Sequence, residues 1–310
     1  MNCSPAIIIC LTMLALGSIG KAQVTVTNMT VADAFLATGS PYNPEGADLT
    51  ELNFGAGGTL VVAPASSYGG EYQSLLKFNL SNTVCLFNTN YGAGHWLITG
   101  VSLALTSNYG TSGVQPNSAA FPVITGGKFA IAWLSNDHWA EGTGTPNVPT
   151  TDGVAYNSLP DLLSGPHEIL GTNTYTPPGN NVPVSYALPL TANLVAETAC
   201  GGNVTFLLYA ADNQIGYLFN SYNYGRGNQP RLLVTAAPLV KILSGTFTSG
   251  VFRLAGVGSN NTSYQIQAST NLAVANWLTI GTATADSSGA IQFADAGASN
   301  QPQRFYRFSQ

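Results

Sequence analysis

The sequence predicts an all-β protein, a large β-sandwich followed by a small sandwich of the immunoglobulin or fibronectin-III kind. Three observations carry that expectation. Short runs of Val, Ile, Thr, Leu and aromatic residues recur, each bounded by Gly, Pro, Asn or Ser. Helical periodicity is interrupted almost everywhere by Gly, Pro or Asn. The polar positions hold hydroxyls and amides, because only 7% of residues are charged, against about 25% in an ordinary globular chain.

The first 22 residues read as an export signal. Met1–Pro5 is a short polar start, Ala6–Leu16 is an apolar run, and Gly20-Lys21-Ala22 places small residues at the −3 and −1 positions of a cut before Gln23. The apolar run is shorter than the ~20 residues a spanning helix needs. No membrane span is therefore expected, and the chain is read as secreted or displayed at a bacterial cell surface. Loss of Lys21 with the leader leaves 8 basic and 14 acidic side chains, a net charge of −6. Such a chain lacks the basic surface that a phosphate backbone requires, so nucleic acid is excluded as an expected partner. Sparse charge also protects poorly against self-association.

Strands are predicted at Val24–Val31, Thr59–Val62, Ser74–Asn79, Trp96–Thr106, Lys128–Leu134, Val182–Leu190, Asn203–Ala210 and Pro230–Thr235. Phe129, Ile131 and Trp133 share one face, expected to be the core face. Both faces of Asn203–Ala210 are largely apolar, which places that strand centrally. The polar stretch Glu141–Pro178 reads as a long loop with a helical turn around Leu159–Ser164. These residues form a domain over 23–236, followed by a linker over 237–245 around Ala236-Ala237-Pro238. A small module over 246–310 follows, with strands at Gly250–Gly256, Ser263–Ser269, Trp277–Ala283, Ala290–Ala294 and Arg304–Phe308. Trp96, Trp133 and Trp277 fall inside strand patterns and are expected in the core. The two cysteines beyond the leader, Cys85 and Cys200, are expected to pair in an oxidising compartment. Closing that span of 116 residues would stabilise the chain by roughly 4–5 kcal/mol.

A family resemblance rests on particular residues. Asp33-Ala34-Phe35 precedes Tyr42-Asn43-Pro44-Glu45-Gly46, and Ser74-Leu75-Leu76-Lys77-Phe78-Asn79-Leu80-Ser81 follows. Next come Ile98–Leu103, Trp139-Ala140-Glu141-Gly142-Thr143-Gly144-Thr145-Pro146, Phe219-Asn220-Ser221 and Pro230–Val234. In this order, residues 33 to 235 resemble a DNRLRE-type domain, a jelly-roll module classed among carbohydrate-binding modules. The tail, through Tyr264–Leu272, Trp277 and Arg304–Arg307, is similar to a C-terminal β-module of exported proteins from environmental bacteria. The resemblance implies attachment to polysaccharide or display in a surface matrix, with Trp139 packed under its loop and Glu141 bonding loop amides. A jelly-roll module also commonly holds a structural calcium ion, for which Asp33, Asn43, Glu45 and Asp48 offer oxygen ligands.

The residues themselves point to no enzyme. Asp137, His138 and Glu141 form the densest titratable cluster, but a glycosidase needs two carboxylates facing each other across a sugar. His95, His138 and His167 show no zinc-binding spacing, and neither a nucleophile elbow nor a phosphate loop is present. Gly55-Ala56-Gly57-Gly58 reads as a turn. For a glycan site the best stretch is Tyr217–Arg226. As a strand it would align Tyr222, Tyr224 and Arg226 on one face, with Asn220 and Asn223 adding hydrogen bonds. The function expected is non-catalytic binding of polysaccharide or cell-surface glycan. The alternatives are a structural or adhesive matrix component and a polysaccharide lyase or hydrolase.

Overall fold

The computed structural model describes residues 23–40, 48–67, 69–108, 121–225, 227–274 and 276–309. The segment read as a leader and the candidate ligands Asn43, Glu45 and Arg226 lie outside them. The fold is all-β, with antiparallel sheets stacked as sandwiches, and the chain divides into two compact units.

The larger unit comprises residues 25–84 and 100–235. Along residues 24–238 the elements in chain order are β1 (Val24–Ala37), β2 (Thr59–Val62), β3 (Tyr72–Asn79), α1 (Ser81–Tyr91), β4 (Trp96–Thr106), β5 (Gly127–Leu134), α2 (Leu159–Leu162), β6 (His167–Tyr175), β7 (Pro183–Leu188), α3 (Ala192–Cys200), β8 (Asn203–Ala210), β9 (Tyr217–Asn220) and β10 (Arg231–Pro238), of which most of α1, the start of β4 and the end of β10 fall in the smaller unit. Eight strands run in the order β6-β5-β8-β3-β1-β10-β4-β7, and β2 pairs with β9. The central strands are buried on both faces: Phe129 to Leu134 in β5 and Val204 to Leu208 in β8. The expected central place of β8 is observed between β5 and β3. Phe129, Ile131 and Trp133 are buried as expected, and the opposite face of β5 is buried too.

β1 is longer than its apolar pattern suggests. Its first half alternates between buried Asn28 and Thr30 and exposed Met29 and Val31. A register shift follows between Thr30 and Ala32, and every residue from Ala32 to Ala37 is then buried against β3. Asp33 falls within this buried half, so the bulge delivers a carboxyl group into the interior.

Two helices interrupt the β pattern where none was expected. α1 buries Thr83, Phe87 and Tyr91 at four-residue spacing. α3 is capped by the Thr191 hydroxyl, which accepts from Leu194 N at 3.3 Å, and is ended by Gly201 at φ 75°. The helices correct the disulfide expectation. Cys85 lies on the face of α1 opposite Thr83 and Phe87, Cys200 ends α3, and both are exposed free thiols. A third difference is β6, which occupies part of the expected long loop. It is an edge strand whose buried residues, Leu170 and Tyr175, are too few to produce a clear alternation.

The smaller unit comprises residues 85–99 and 236–310 among those described. β11 (Lys241–Thr248), β12 (Val251–Val257), β13 (Ser263–Ser269), β14 (Leu278–Thr284), β15 (Ala290–Asp295) and β16 (Phe305–Ser309) form two three-stranded sheets, β11-β12-β15 and β14-β13-β16. The span 237–245, expected as a linker, is instead the end of β10 and the start of β11. Phe252, Leu254, Ile266, Ala268 and Tyr306 form the core, and Tyr264, Ile266 and Ala268 alternate inward as their sequence indicates. The segment 85–99 belongs to this unit through specific bonds. Tyr91 Oη donates to Ala236 O at 3.2 Å, Leu239 N to His95 O at 2.8 Å, and His95 Nδ1 meets Asn260 Oδ1 at 2.9 Å. Trp96 is only half-buried, with its indole N–H on Asn88 at 2.8 Å, and Trp277 is half-buried beneath the Arg307 guanidinium. Neither is the core tryptophan that its strand pattern suggested. No helix among the described residues is long and apolar enough to cross a membrane.

A native chain starting at Gln23 should titrate two thiols rapidly with a chromogenic disulfide reagent, and reduction beforehand should not raise that number. A count of zero that rises to two on reduction would restore the Cys85–Cys200 bridge.

Candidate functional site

A polar constellation of the larger unit is built around Asn53, which is fully buried. A buried amide must have its hydrogen-bonding capacity met, and Asn53 meets all of it. Its Nδ2 donates to Glu141 O at 2.6 Å and Val154 O at 2.8 Å, while its Oδ1 accepts from Gly55 N at 3.1 Å and Gly144 N at 3.0 Å. One side chain thus ties together the loops around residues 53–58, 139–146 and 150–155. Glycine permits the approach. A Cβ at Gly55 would lie 1.9 Å from Glu141 O, and one at Gly142 (φ 80°) would lie 2.2 Å from Asn53 Oδ1. The turn expected at Gly55–Gly58 is therefore one wall of this assembly.

Glu141 carries the constraint onward. Its Oε1 accepts from Asp33 N at 3.3 Å and from Asn223 Nδ2 at 3.0 Å. Asp33 is fully buried, and its Oδ2 accepts from Tyr222 N at 2.6 Å. Two carboxyl groups from distant parts of the chain therefore grip the turn of 3-10 helix at Tyr222–Tyr224. Ser221 completes the anchor by donating to Gly57 O at 2.5 Å and accepting from Asn223 N at 3.0 Å. Asn223 Nδ2 also donates to Gly55 O at 3.1 Å.

Lys77 lies beneath this group. It is buried, donates to Trp139 O at 2.6 Å and sits 4.2 Å above the Trp139 ring. Trp139 is itself buried and donates to Thr205 Oγ1 at 3.1 Å, and the Thr205 hydroxyl donates to Asp137 Oδ1 at 2.7 Å. Electrostatics follow from burial. Loss of hydration holds the Asp33 carboxyl well above the usual range; the Tyr222 N–H opposes this and the Glu141 charge adds to it. Burial also raises Glu141, against the bonds from Asp33 N and Asn223 and the charge of Lys77. Lys77 is lowered by burial, against the charges of Asp137 and Glu141. On α3, Glu197 accepts the Trp133 indole N–H and is pushed up to about 8 by burial and by the Asp137 charge.

The sequence-derived candidates sort as follows. Tyr222, Asn223 and Tyr224 are brought together, but on a helical turn, so they do not share a strand face. Tyr222 is 47% exposed and Tyr224 half-buried, while the Asn223 side chain is used internally. Asn220 is buried and donates to Asn228 O at 3.3 Å. Among the calcium candidates, Asp33 is engaged with Tyr222. Asp48 is exposed and accepts from Thr50 N at 3.0 Å and Thr50 Oγ1 at 2.6 Å. Among the described residues, no group of three or more His, Cys, Asp or Glu side chains could hold a metal ion. Asp137, His138 and Glu141 diverge: Asp137 turns to Thr205, Glu141 to Asp33 and Asn223, and His138 is exposed. Asn53, Lys77 and Glu197 were not legible as members of the site. Asn-Phe-Gly at 53–55 and Gly-Thr-Gly at 142–144 are the signals that point to the close loop approach.

No family model matches the chain, and no curated protein matches it. Among solved structures, native alpha-2-macroglobulin from Escherichia coli spanning domains MG0-NIE-MG1 is similar at 13% identity, over 89% of this chain and 91% of that one. Its TM-score is 0.13, and the likeness carries no argument.

Replacement of Asn53 by Ala leaves Gly55 N, Gly144 N, Glu141 O and Val154 O without their partner. At ~1–3 kcal/mol for an unpaired buried group, with partial relaxation, urea unfolding should show a loss of about 3 kcal/mol or more. A loss below ~1 kcal/mol would remove Asn53 from its central role. Glu197 makes a separate prediction. Its folded pKa is raised, so its contribution is complete below the ordinary carboxylate range and is lost as pH rises through about 8. The melting temperature should therefore fall between pH 5 and 9, and Glu197→Gln should flatten that decline. An unchanged slope in the variant would show that another group is responsible.

Proposed function

We propose that this chain is an exported, non-catalytic protein that binds polysaccharide or cell-surface glycan, in the manner implied by its resemblance to DNRLRE-type modules. The observation that carries the reading is the mounting of Tyr222. Its ring is exposed, while its own backbone N–H and the amide of Asn223 are bonded to two inward carboxyl groups. An aromatic ring recognises the apolar face of a sugar by stacking, and a backbone turn held beforehand loses little freedom on binding. Tyr224 stands two residues along the same turn. The dispersal of Asp137, His138 and Glu141 into separate bonds supports a binding role over hydrolysis or lyase chemistry, for which an acid and a base must face one substrate atom.

A matrix or adhesive role is favoured by a different observation. The edge strands β11 and β14 of the smaller unit expose Leu243 and Leu278 and contain no acidic residue. Exposed apolar side chains on strands without acidic residues promote association between chains.

A panel of neutral and acidic polysaccharides in affinity electrophoresis tests the principal reading. At least one polymer should retard the protein, and Tyr222→Ala should weaken that retardation about tenfold, in keeping with the ~1.4 kcal/mol that a tenfold change represents. Free migration in every polymer, or retardation unaffected by both Tyr222→Ala and Tyr224→Ala, would reject the tyrosine site.

A further inference from the structure

The charge of the chain is divided unevenly. Residues 236–310 contain four basic side chains (Lys241, Arg253, Arg304, Arg307) and two acidic ones (Asp286, Asp295), and residues 85–99 contain neither kind. The smaller unit is therefore positive by two, although the whole chain is negative by five. Within it, Arg304 is neutralised by Asp295 at 2.8 Å. The β14-β13-β16 sheet has no acidic residue on any of its strands, and Arg307 is its single charge.

The register fixes what that sheet presents outward. Tyr264, Ile266 and Ala268 of β13 point into the core, so Gln265 and Gln267 point away from it. Gln265 lies opposite Thr282 on one side and Ser309 on the other, and Gln267 lies opposite Thr279 and Arg307. These side chains form one continuous ladder. Thr279 Oγ1 donates to Gln265 Oε1 at 3.1 Å, Gln267 Nε2 to Thr279 Oγ1 at 3.3 Å, and Arg307 Nε to Gln267 Oε1 at 2.8 Å. The Arg307 guanidinium then lies over the Trp277 ring at 4.4 Å. A half-buried indole, a guanidinium held by stacking and by one hydrogen bond, and a row of amide and hydroxyl groups, exposed at Gln265, Thr279 and Thr282, stand on one face.

We propose that the outward face of the β14-β13-β16 sheet is a second binding site, separate from the Tyr222 turn, and that its ligand is an acidic polysaccharide bearing carboxylate or sulfate groups. Arg307 pairs with the acidic group, since its Nε bond to Gln267 leaves the terminal N–H groups for a planar anion. Gln265, Gln267, Thr279 and Thr282 meet sugar hydroxyls with both donors and acceptors. Trp277 supplies the apolar surface at the end of the ladder. Nucleic acid offers an anion as well, but its backbone is recognised by several cations together, and this face has one. The larger unit's tyrosine site makes no use of these residues, so the two assignments stand or fall separately.

The test uses the whole chain from Gln23, with polygalacturonate and a sulfated galactan as acidic probes, hydroxyethylcellulose as a neutral one, and single-stranded DNA as a non-sugar polyanion. Affinity for the acidic polysaccharides should fall about tenfold or more in Arg307→Ala and in Trp277→Ala, and should fall with added salt. Gln265→Glu and Thr282→Glu place a like charge on the exposed face without touching the core. Both should abolish acidic-polysaccharide binding while retaining the wild-type melting temperature, which keeps the test decisive even where Arg307→Ala or Trp277→Ala unfolds. Arg253→Ala, on β12, and Tyr222→Ala should leave this binding unchanged. Full binding by Gln265→Glu and Thr282→Glu would overturn the site. An equal loss in Arg253→Ala, or DNA bound as tightly as polygalacturonate, would reduce it to unspecific charge attraction. Loss confined to Tyr222→Ala would assign acidic-polysaccharide binding to the larger unit.

Discussion

The larger unit depends on one constraint: a buried amide, the buried Asp33 carboxyl and the half-buried Glu141 carboxyl must find partners as water is withdrawn. Asn53 meets it by bonding four backbone groups from three loops. Glu141 and Asp33 draw in the turn at Tyr222–Tyr224, Asp33 through Oδ2 alone, since its buried Oδ1 has no hydrogen-bond partner. The sheet supplies the platform, but apolar packing has no direction and would not select one arrangement of the loops. The polar network selects it, and the glycines at 55 and 142 remove the side chains that would obstruct it.

Scarcity of charge makes each ionisable group consequential. Lys77 is the buried cation beside buried Asp33 and half-buried Asp137, Glu141 and Glu197, so the acids around it outnumber it. Burial answers by raising Asp33, Glu141 and Glu197, which disfavours the charged form of each. This is a structural use of acids. It leaves Asp137, His138 and Glu141 in three directions, and it places the exposed chemistry in tyrosine, amide and hydroxyl groups. In the smaller unit Asp295 holds Arg304 and Tyr306, while Arg307 is left to stack on Trp277.

Where alternation is a direct consequence of burial, the fold was legible in the residues. β13 alternates cleanly because one face is core and the other is exposed, and β8 is apolar on both faces because it is central. Local order that depends on distant partners was not legible. α1 and α3 form in weakly helical sequences because Phe87, Tyr91 and Leu194 find apolar surroundings, although the Thr191 cap and Gly201 terminus of α3 were visible signals. The pairing of Cys85 with Cys200 was inferred from number and compartment, whereas helix geometry turns both thiols outward. The tyrosine stretch reads as a strand in the sequence, but Gly225 at φ 70° and Ser221 close it into a helical turn. Asn53 could not be distinguished from the other asparagines, because its importance lies in four backbone partners that the sequence does not mark.

Hydrogen exchange of individual amides addresses the central claim that these loops are held as firmly as the sheet that carries them. Gly55 N–H, Gly144 N–H and Tyr222 N–H should exchange as slowly as core amides of β3 and β8, through global unfolding. Exchange of those three amides at the rate of an open loop, with the sheet still protected, would contradict the account.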